Sequence, residues 1–275
     1  MKYYSACSVA RTGNTGEVDA VLVMPPRRIL LSYFYEKDIS LIKTLQQKDV
    51  EIFIDSGAFS AYSSKKLIDI DEYCKFLLEC GVQTYAGLDV IGNAEATMKN
   101  QKYAEETYGL KPIPTFHIGS VVKDLDALIG YDYIAFGGLV MAEGIEEHLN
   151  EAWRYVLDRN SQIKVHGFGL TNLKFIEKYP WYSVDSSSFK GCKRFGRQAL
   201  LWGGMNFNTL SEDEFIDFLT DKFLYSKVEL KENNKMRRYL EDLFAVNSMK
   251  TYVDIVTEIH KYKDFSFLTH QKKLL

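Results

Sequence analysis

The sequence predicts an α/β protein built as a (β/α)8 barrel of the TIM type, with a C-terminal helical appendage. Three observations carry this expectation. Short apolar runs of β type alternate with stretches of helical periodicity at roughly 20 to 30-residue spacing, the signature of parallel β/α units. About eight such runs fall within some 200 residues, which favours a closed barrel over an open doubly wound sheet. No Gly-x-Gly-x-x-Gly follows the first run, so the dinucleotide-binding form of the open sheet lacks its fingerprint.

In chain order, residues 20–24 (Ala-Val-Leu-Val-Met) stop at Pro25-Pro26, and residues 29–35 follow Arg27-Arg28; both read as strands or entry elements. Residues 51–55 are a β-run closed by Asp55 and a glycine turn, and apolar spacing predicts a helix over 70–80. Residues 84–90 read as a strand carrying Asp89, before a helix over 94–108 rich in Ala, Glu, Lys and Met. The next units are 113–119 with His117 and a helix over 121–129, then 133–139 ending in Gly137-Gly138-Leu139 and an amphipathic helix over 145–157. Residues 164–170 carry His166 and lead to 172–178; residues 182–184 deliver Asp185; residues 199–202 supply a last strand. Beyond residue 209 the pattern turns to charged, amphipathic helix over 212–223, 231–246 and 252–262. The expected division is a barrel over 1–209 and an appendage over 210–275 that completes or packs on it.

The 275 residues are 46% hydrophobic and carry a formal net charge of -3, so no whole-protein basic field points to nucleic acid. Such a partner would need a local patch, and Lys190, Lys193, Arg194 and Arg197 form one, with a solvated loop as the plain alternative. Cys7, Cys74, Cys80 and Cys192 form no Cys-x-x-Cys pair, so neither a zinc site nor a disulfide framework is expected, and no metal or other cofactor. The opening Met-Lys-Tyr-Tyr-Ser-Ala-Cys lacks the apolar run of a signal peptide and no stretch suits a bilayer, which points to a soluble protein of a reducing cytoplasm.

In a barrel, the C-terminal ends of all strands face one mouth, so Asp55, Asp89, His117, the Gly137–Leu139 turn, His166 and Asp185 are expected to converge. Taken alone, Asp185 or Ser186 reads better as a helix N-cap; three strand-end aspartates together read as a site. A carboxylate at a strand's C-terminal end, beside hydroxyl donors and a basic loop, suits chemistry on an anionic polymer.

The phrases Asp55-Ser-Gly-Ala-Phe59, Gly87-Leu-Asp89, Phe136-Gly-Gly-Leu-Val140 with Glu143, His166-Gly-Phe-Gly169 and Ser183-Val-Asp185 resemble, in order, those of the tRNA-guanine transglycosylases and their relatives that put 7-deazaguanines into DNA. The resemblance covers about residues 50 to 200. It implies exchange of guanine for a 7-deazaguanine without cutting the backbone. By resemblance Asp185 is the nucleophile on the ribose C1′ and Asp55 the acid/base. Asp89 reads the N1–H and 2-amino edge of the base, Gly138 and Leu139 offer backbone N–H groups to its O6, and Phe59 stacks on its face. Ser56, Glu143 and His166 stand around these. The chain departs from the family in lacking the zinc-binding cysteines after Cys192, in carrying Ala58 and Ser60 for the usual Gly and Gln, and in placing His117 where a base-reading Gln is expected.

These departures resemble the compact DNA-modifying branch of phages and bacterial islands, implying a bacterial or phage-infected cytoplasm. The expected partners are DNA, or tRNA in the alternative, and a base such as 7-cyano- or 7-aminomethyl-7-deazaguanine, with a homodimer allowed and no membrane. The rival readings are a tRNA enzyme, an N-glycoside hydrolase and a catalytically silent nucleic-acid-binding barrel.

Overall fold

The protein is seen in a computed structural model that describes residues 1–7, 16–139, 144–170, 172–187, 197–203 and 205–269. Its centre is a curled sheet of eight parallel strands, β1 (Lys2–Cys7), β2 (Arg28–Ser32), β3 (Glu51–Asp55), β4 (Thr84–Tyr85), β5 (Thr115–His117), β6 (Tyr133–Gly137), β7 (Lys164–Gly167) and β8 (Ser183–Ser186). The spatial order is β4-β3-β2-β1-β8-β7-β6-β5, so first and last strands pair at the centre, a TIM-like arrangement. At the ends of the sheet Ala86 bridges Ile113: Ile113 N–H donates to the Tyr85 carbonyl at 2.8 Å and Gly87 N–H to the Ile113 carbonyl at 3.0 Å.

Strand periodicity sorts the side chains into two sets. Tyr4, Leu30, Phe53, Ala86, Ile113 and Ala135 form a small cluster on the concave face. Their strand neighbours Tyr3, Ile29, Leu31, Ile52, Ile54, Phe116, Ile134, Phe136, Val165 and Val184 pack in two larger clusters with the helices. Asp55 and Glu51 lie an even number of residues from Phe53, Asp185 and Ser183 share the parity of each other, and His117 shares that of Ile113, so the concave face receives them all. At its lower end Glu51 is held by Lys2 at 2.5 Å, Tyr4 Oη at 2.6 Å and Arg28 at 2.8 Å.

The helices begin and end where local chemistry dictates. Alpha-helices α1 (Gly16–Leu22), α2 (Ile39–Gln47), α3 (Ala58–Ser63), α4 (Ile70–Cys80), α5 (Ala94–Tyr108), α6 (Ile145–Arg159) and α7 (Leu173–Lys178) accompany the strands. The carboxylate of Asp69 caps α4 by accepting from Glu72 N–H, Asn93 caps α5 through Ala96 N–H, and Gly81 and Gly109 end these helices in the left-handed conformation.

Several expectations are corrected. Residues 20–24 are not a strand: α1 runs to Leu22, burying Val18, Ala20 and Val21 while Val23 stays exposed, because a continuous apolar run has no period of its own to separate the two states. The first strand is instead β1, to which the sequence reading gave no element. The strand over 84–90 shrinks to two residues because side chains of α5 take over the backbone partners: Asn100 donates to the Leu88 carbonyl and Val90 N–H to Thr97 Oγ1. The helix over 121–129 is a 3-10 helix, Val122–Ala127.

Residues 199–202 do not join the main sheet, since β1 occupies the place beside β8. Strand β9 (Arg197–Leu201) pairs antiparallel with β10 (Phe207–Ser211) as a hairpin. Helices α8 (Glu212–Phe223), α9 (Lys227–Glu232) and α10 (Asn234–His260) follow. The expected break between 246 and 252 is absent from α10; its polar Ser248 accepts a hydrogen bond from Leu201 N–H and docks the helix on the hairpin. Ala245, Met249, Tyr252, Val253 and Val256 of α10 join the large cluster behind β6–β8, and α10 also packs on β1 and α1. Among the described residues no helix is long and apolar enough to cross a membrane.

Candidate active site

Asp55 is the last residue of β3, and its carboxyl faces the backbone N–H groups of Gly57 and Ser56. Burial pushes it up to about 7 against the pull of those amides, and the negative charges of Asp185 and Asp89 push in the same direction. The three carboxylates therefore share one electrostatic environment at the mouth. Gly57 makes the turn possible: its φ is +77°, and a Cβ there would lie 2.4 Å from Ser32 Oγ and 2.5 Å from Phe34 Cβ.

Asp185 lies within β8, 5% exposed, and is not a helix cap. Its Oδ1 accepts from Gly169 N–H at 2.9 Å and lies 3.2 Å from Nε2 of His166, a fully buried ring on β7. Nδ1 of His166 is 2.6 Å from Ser183 Oγ, which is 2.5 Å from Tyr133 Oη. Strand register explains the meeting: Ala135 pairs with His166 and His166 with Ser183. The rings of Phe53 and Phe168 wall the imidazole at 4.6 and 4.5 Å, and burial lowers its pKa despite the Asp185 carboxylate.

Asp89 sits in the loop after β4. Its Oδ2 is 3.3 Å from Nε2 of His117, within ion-pair range but out of line for a full hydrogen bond, and its buried Oδ1 has no side-chain or backbone partner among the described residues. Burial alone would lower the His117 pKa; the Asp89 carboxylate outweighs it and raises it. The His117 ring lies over Gly137, where a Cβ would come within 3.0 Å of Nδ1. Ser32 Oγ at the end of β2, Ser56 Oγ just past β3 and Thr115 Oγ1 at the start of β5 are also buried and have no hydrogen-bond partner among the described residues.

Phe59 is 55% exposed on the first turn of α3, and Gly138 is exposed just past β6, followed by buried Leu139. Arg197 lies on β9, exposed, with the Glu214 carboxylate in its field. Lys190, Lys193, Arg194 and Glu143 lie outside the described residues.

Sequence reasoning missed Ser183 and Tyr133. The signal for Ser183 was its position two residues before Asp185, hence on the same face of the strand; that for Tyr133 was its even spacing from Gly137. Gly57 was read only as a turn former, yet its N–H faces the Asp55 carboxyl. No protein-family model matches the sequence, and no curated protein matches it.

Proposed function

We propose that the protein is a transglycosylase that exchanges guanine in DNA for a 7-deazaguanine base through a covalent sugar intermediate on Asp185. The observation that carries this reading is a mouth holding carboxyl groups in contrasting environments. Asp55 is pushed up to about 7, so it holds or releases a proton near neutrality, while Asp185 has one oxygen anchored by the Gly169 N–H at 2.9 Å. A carboxyl group that exchanges its proton near neutrality, set beside a second carboxyl anchored by a backbone amide, suits an acid/base working beside a nucleophile.

In the first displacement an Asp185 oxygen bonds to C1′ as the C1′–N9 bond breaks; the electron pair goes to the base, and the Asp55 proton neutralises it. In the second, Asp55 takes a proton from the incoming base, whose nitrogen bonds to C1′ as the Asp185–C1′ bond breaks. Two inversions retain the configuration. Asp89 Oδ1 is an acceptor for the N–H edge of guanine, and exposed Phe59 offers a stacking face. The target nucleotide is flipped from the stack or single-stranded, since its C1′ is otherwise shielded. The basic run from Lys190 to Arg197 supplies phosphate contacts in this reading. We read the curled sheet as a closed (β/α)8 barrel, supported by the hydrogen bonds that join Tyr85 and Gly87 to Ile113.

The test is to incubate the protein with guanine-containing DNA or tRNA and labelled 7-cyano- or 7-aminomethyl-7-deazaguanine. Label entering DNA is the expected result. Label entering only tRNA supports the RNA alternative, release of guanine without label uptake supports a hydrolase, and no change in either polymer overturns the proposal.

A further inference from the structure

The interior of the sheet contains a continuous line of polar atoms that the exchange chemistry above does not use. It starts at Tyr133, the first residue of β6, passes through Ser183 Oγ at 2.5 Å and His166 Nδ1 at 2.6 Å, and ends where His166 Nε2 meets Asp185 Oδ1 at 3.2 Å. Tyr133 lies at the opposite end of its strand from the mouth, and its hydrogen-bonded connection to Asp185 runs through the two groups between them.

We propose that Tyr133, Ser183 and His166 are positioning residues that form a hydrogen-bond chain of single polarity, fixing His166 as the Nε2–H tautomer so that it holds Oδ1 of Asp185 and leaves Oδ2 to attack. The proposal rests on the reading of Asp185 as the nucleophile. Its logic is the count of protons. A neutral imidazole has one N–H, and beside an ionised carboxylate that N–H belongs on Nε2, since a lone pair there would face an anionic oxygen. Nδ1 is then an acceptor and requires the Ser183 proton. Ser183 Oγ in turn accepts from the Tyr133 hydroxyl, whose proton burial and its surroundings keep firmly in place. Every donor points toward Asp185. Protonating Asp185 would favour reversal of every bond, so the polarity of the chain and the charge of the carboxylate are coupled. Phe53, Phe168 and Tyr4 enclose the ring and leave it no other side-chain partner than Ser183 and Asp185 among the described residues.

Nitrogen-15 NMR of the histidine rings tests this without substrate, with His166 assigned from backbone connectivity among the five histidines of the chain. The wild-type ring is expected to be neutral with its proton on Nε2, and Ser183→Ala and Tyr133→Phe to give a mixture of tautomers. In the exchange assay both variants should lower kcat by about five- to tenfold with KM unchanged, the loss of one net hydrogen bond expressed in the transition state. Ser183→Thr, which retains the hydroxyl, should restore both readouts. An imidazolium or an Nδ1–H tautomer in the wild-type protein overturns the proposal, as does a folded Ser183→Ala with unchanged tautomer and unchanged kcat. An Nε2–H ring in a protein that exchanges no base supports the chain and overturns the role given to Asp185, which separates the two failures.

Discussion

Replacing Asp55 by Asn should stabilise the folded protein at pH 8. The carboxyl is raised from its ordinary 3.8 to about 7 by burial and by the neighbouring Asp185 and Asp89 charges. At about 1.4 kcal/mol per pK unit that gap corresponds to a ceiling of about 4 kcal/mol. Relaxation and water at the open mouth reduce it, so a gain of about 2 kcal/mol for Asp55→Asn is expected. The sign follows from proton binding. Below pH 3.8 both folded and unfolded states carry the proton and the wild type suffers no penalty; between 3.8 and about 7 the unfolded chain has lost it and the folded state has not; above 7 the folded state must bury the charge. The wild-type disadvantage therefore grows as pH rises and levels off above 7. Urea unfolding of both proteins at pH 4 and pH 8 measures it, with stabilities similar at pH 4 and the Asn variant ahead at pH 8. Asn retains an oxygen for the Gly57 and Ser56 amides, so lost hydrogen bonding does not obscure the result. A variant no more stable than wild type at pH 8 would refute the claim that Asp55 stores electrostatic strain at the mouth.

Asp89→Asn leaves the His117 contact without its charge and puts an amide in place of a buried acceptor; the KM for the incoming base should rise at least tenfold in the exchange assay, about 1.4 kcal/mol, with a smaller change in kcat. Gly57→Ala places a methyl within 2.5 Å of Ser32 and Phe34 at a φ of +77°, and should cost about 2 to 3 kcal/mol in urea unfolding. At the lower end of the sheet, burial works to raise the Glu51 pKa, but Lys2, Tyr4 and Arg28 overcome it and hold the group at about 2. Its contribution is thus present above the ordinary glutamate value and lost as pH falls toward 2. Because the side chain is 35% exposed, solvent screening limits the effect to about 1 kcal/mol. The stability difference between wild type and Glu51→Gln should accordingly be visible at pH 7 and vanish near pH 2.

The helices that the sequence announces most clearly are those with both a periodic apolar face and chemistry at each end. For α4, Asp69 and Gly81 bracket the buried Tyr73, Phe76 and Leu77, and the expected bounds of 70–80 match the structure. For α5 the caps Asn93 and Gly109 and the Ala, Glu, Lys and Met content sufficed, since its buried positions are Thr97, Gln101 and Ala104, and the expected bounds of 94–108 match as well. β1 was not legible because polar residues fall on both of its faces: Lys2, on the concave side with Tyr4, reaches Glu51, and Ser5, on the helix-facing side with Tyr3, is buried with no apolar signature. Residues 20–24 misled because apolar content without period fits either state. At the site, Asp55 and His117 were readable because each ends its strand, and Asp185 because it lies near the end of β8. The Tyr133–Ser183–His166 line was not, because it depends on which strands lie side by side, and only the pairing of β6, β7 and β8 brings these three residues together.

The proposed exchange stands or falls on a covalent bond between Asp185 and the sugar. Incubating the protein with a guanine-containing oligonucleotide and no incoming base, quenching in denaturant and separating the products measures this directly. A protein–oligonucleotide adduct mapped by mass spectrometry to Asp185, absent from Asp185→Ala and discharged on adding a 7-deazaguanine base, is the predicted result. Base exchange that proceeds with no adduct, or an adduct mapped to another residue, would contradict it.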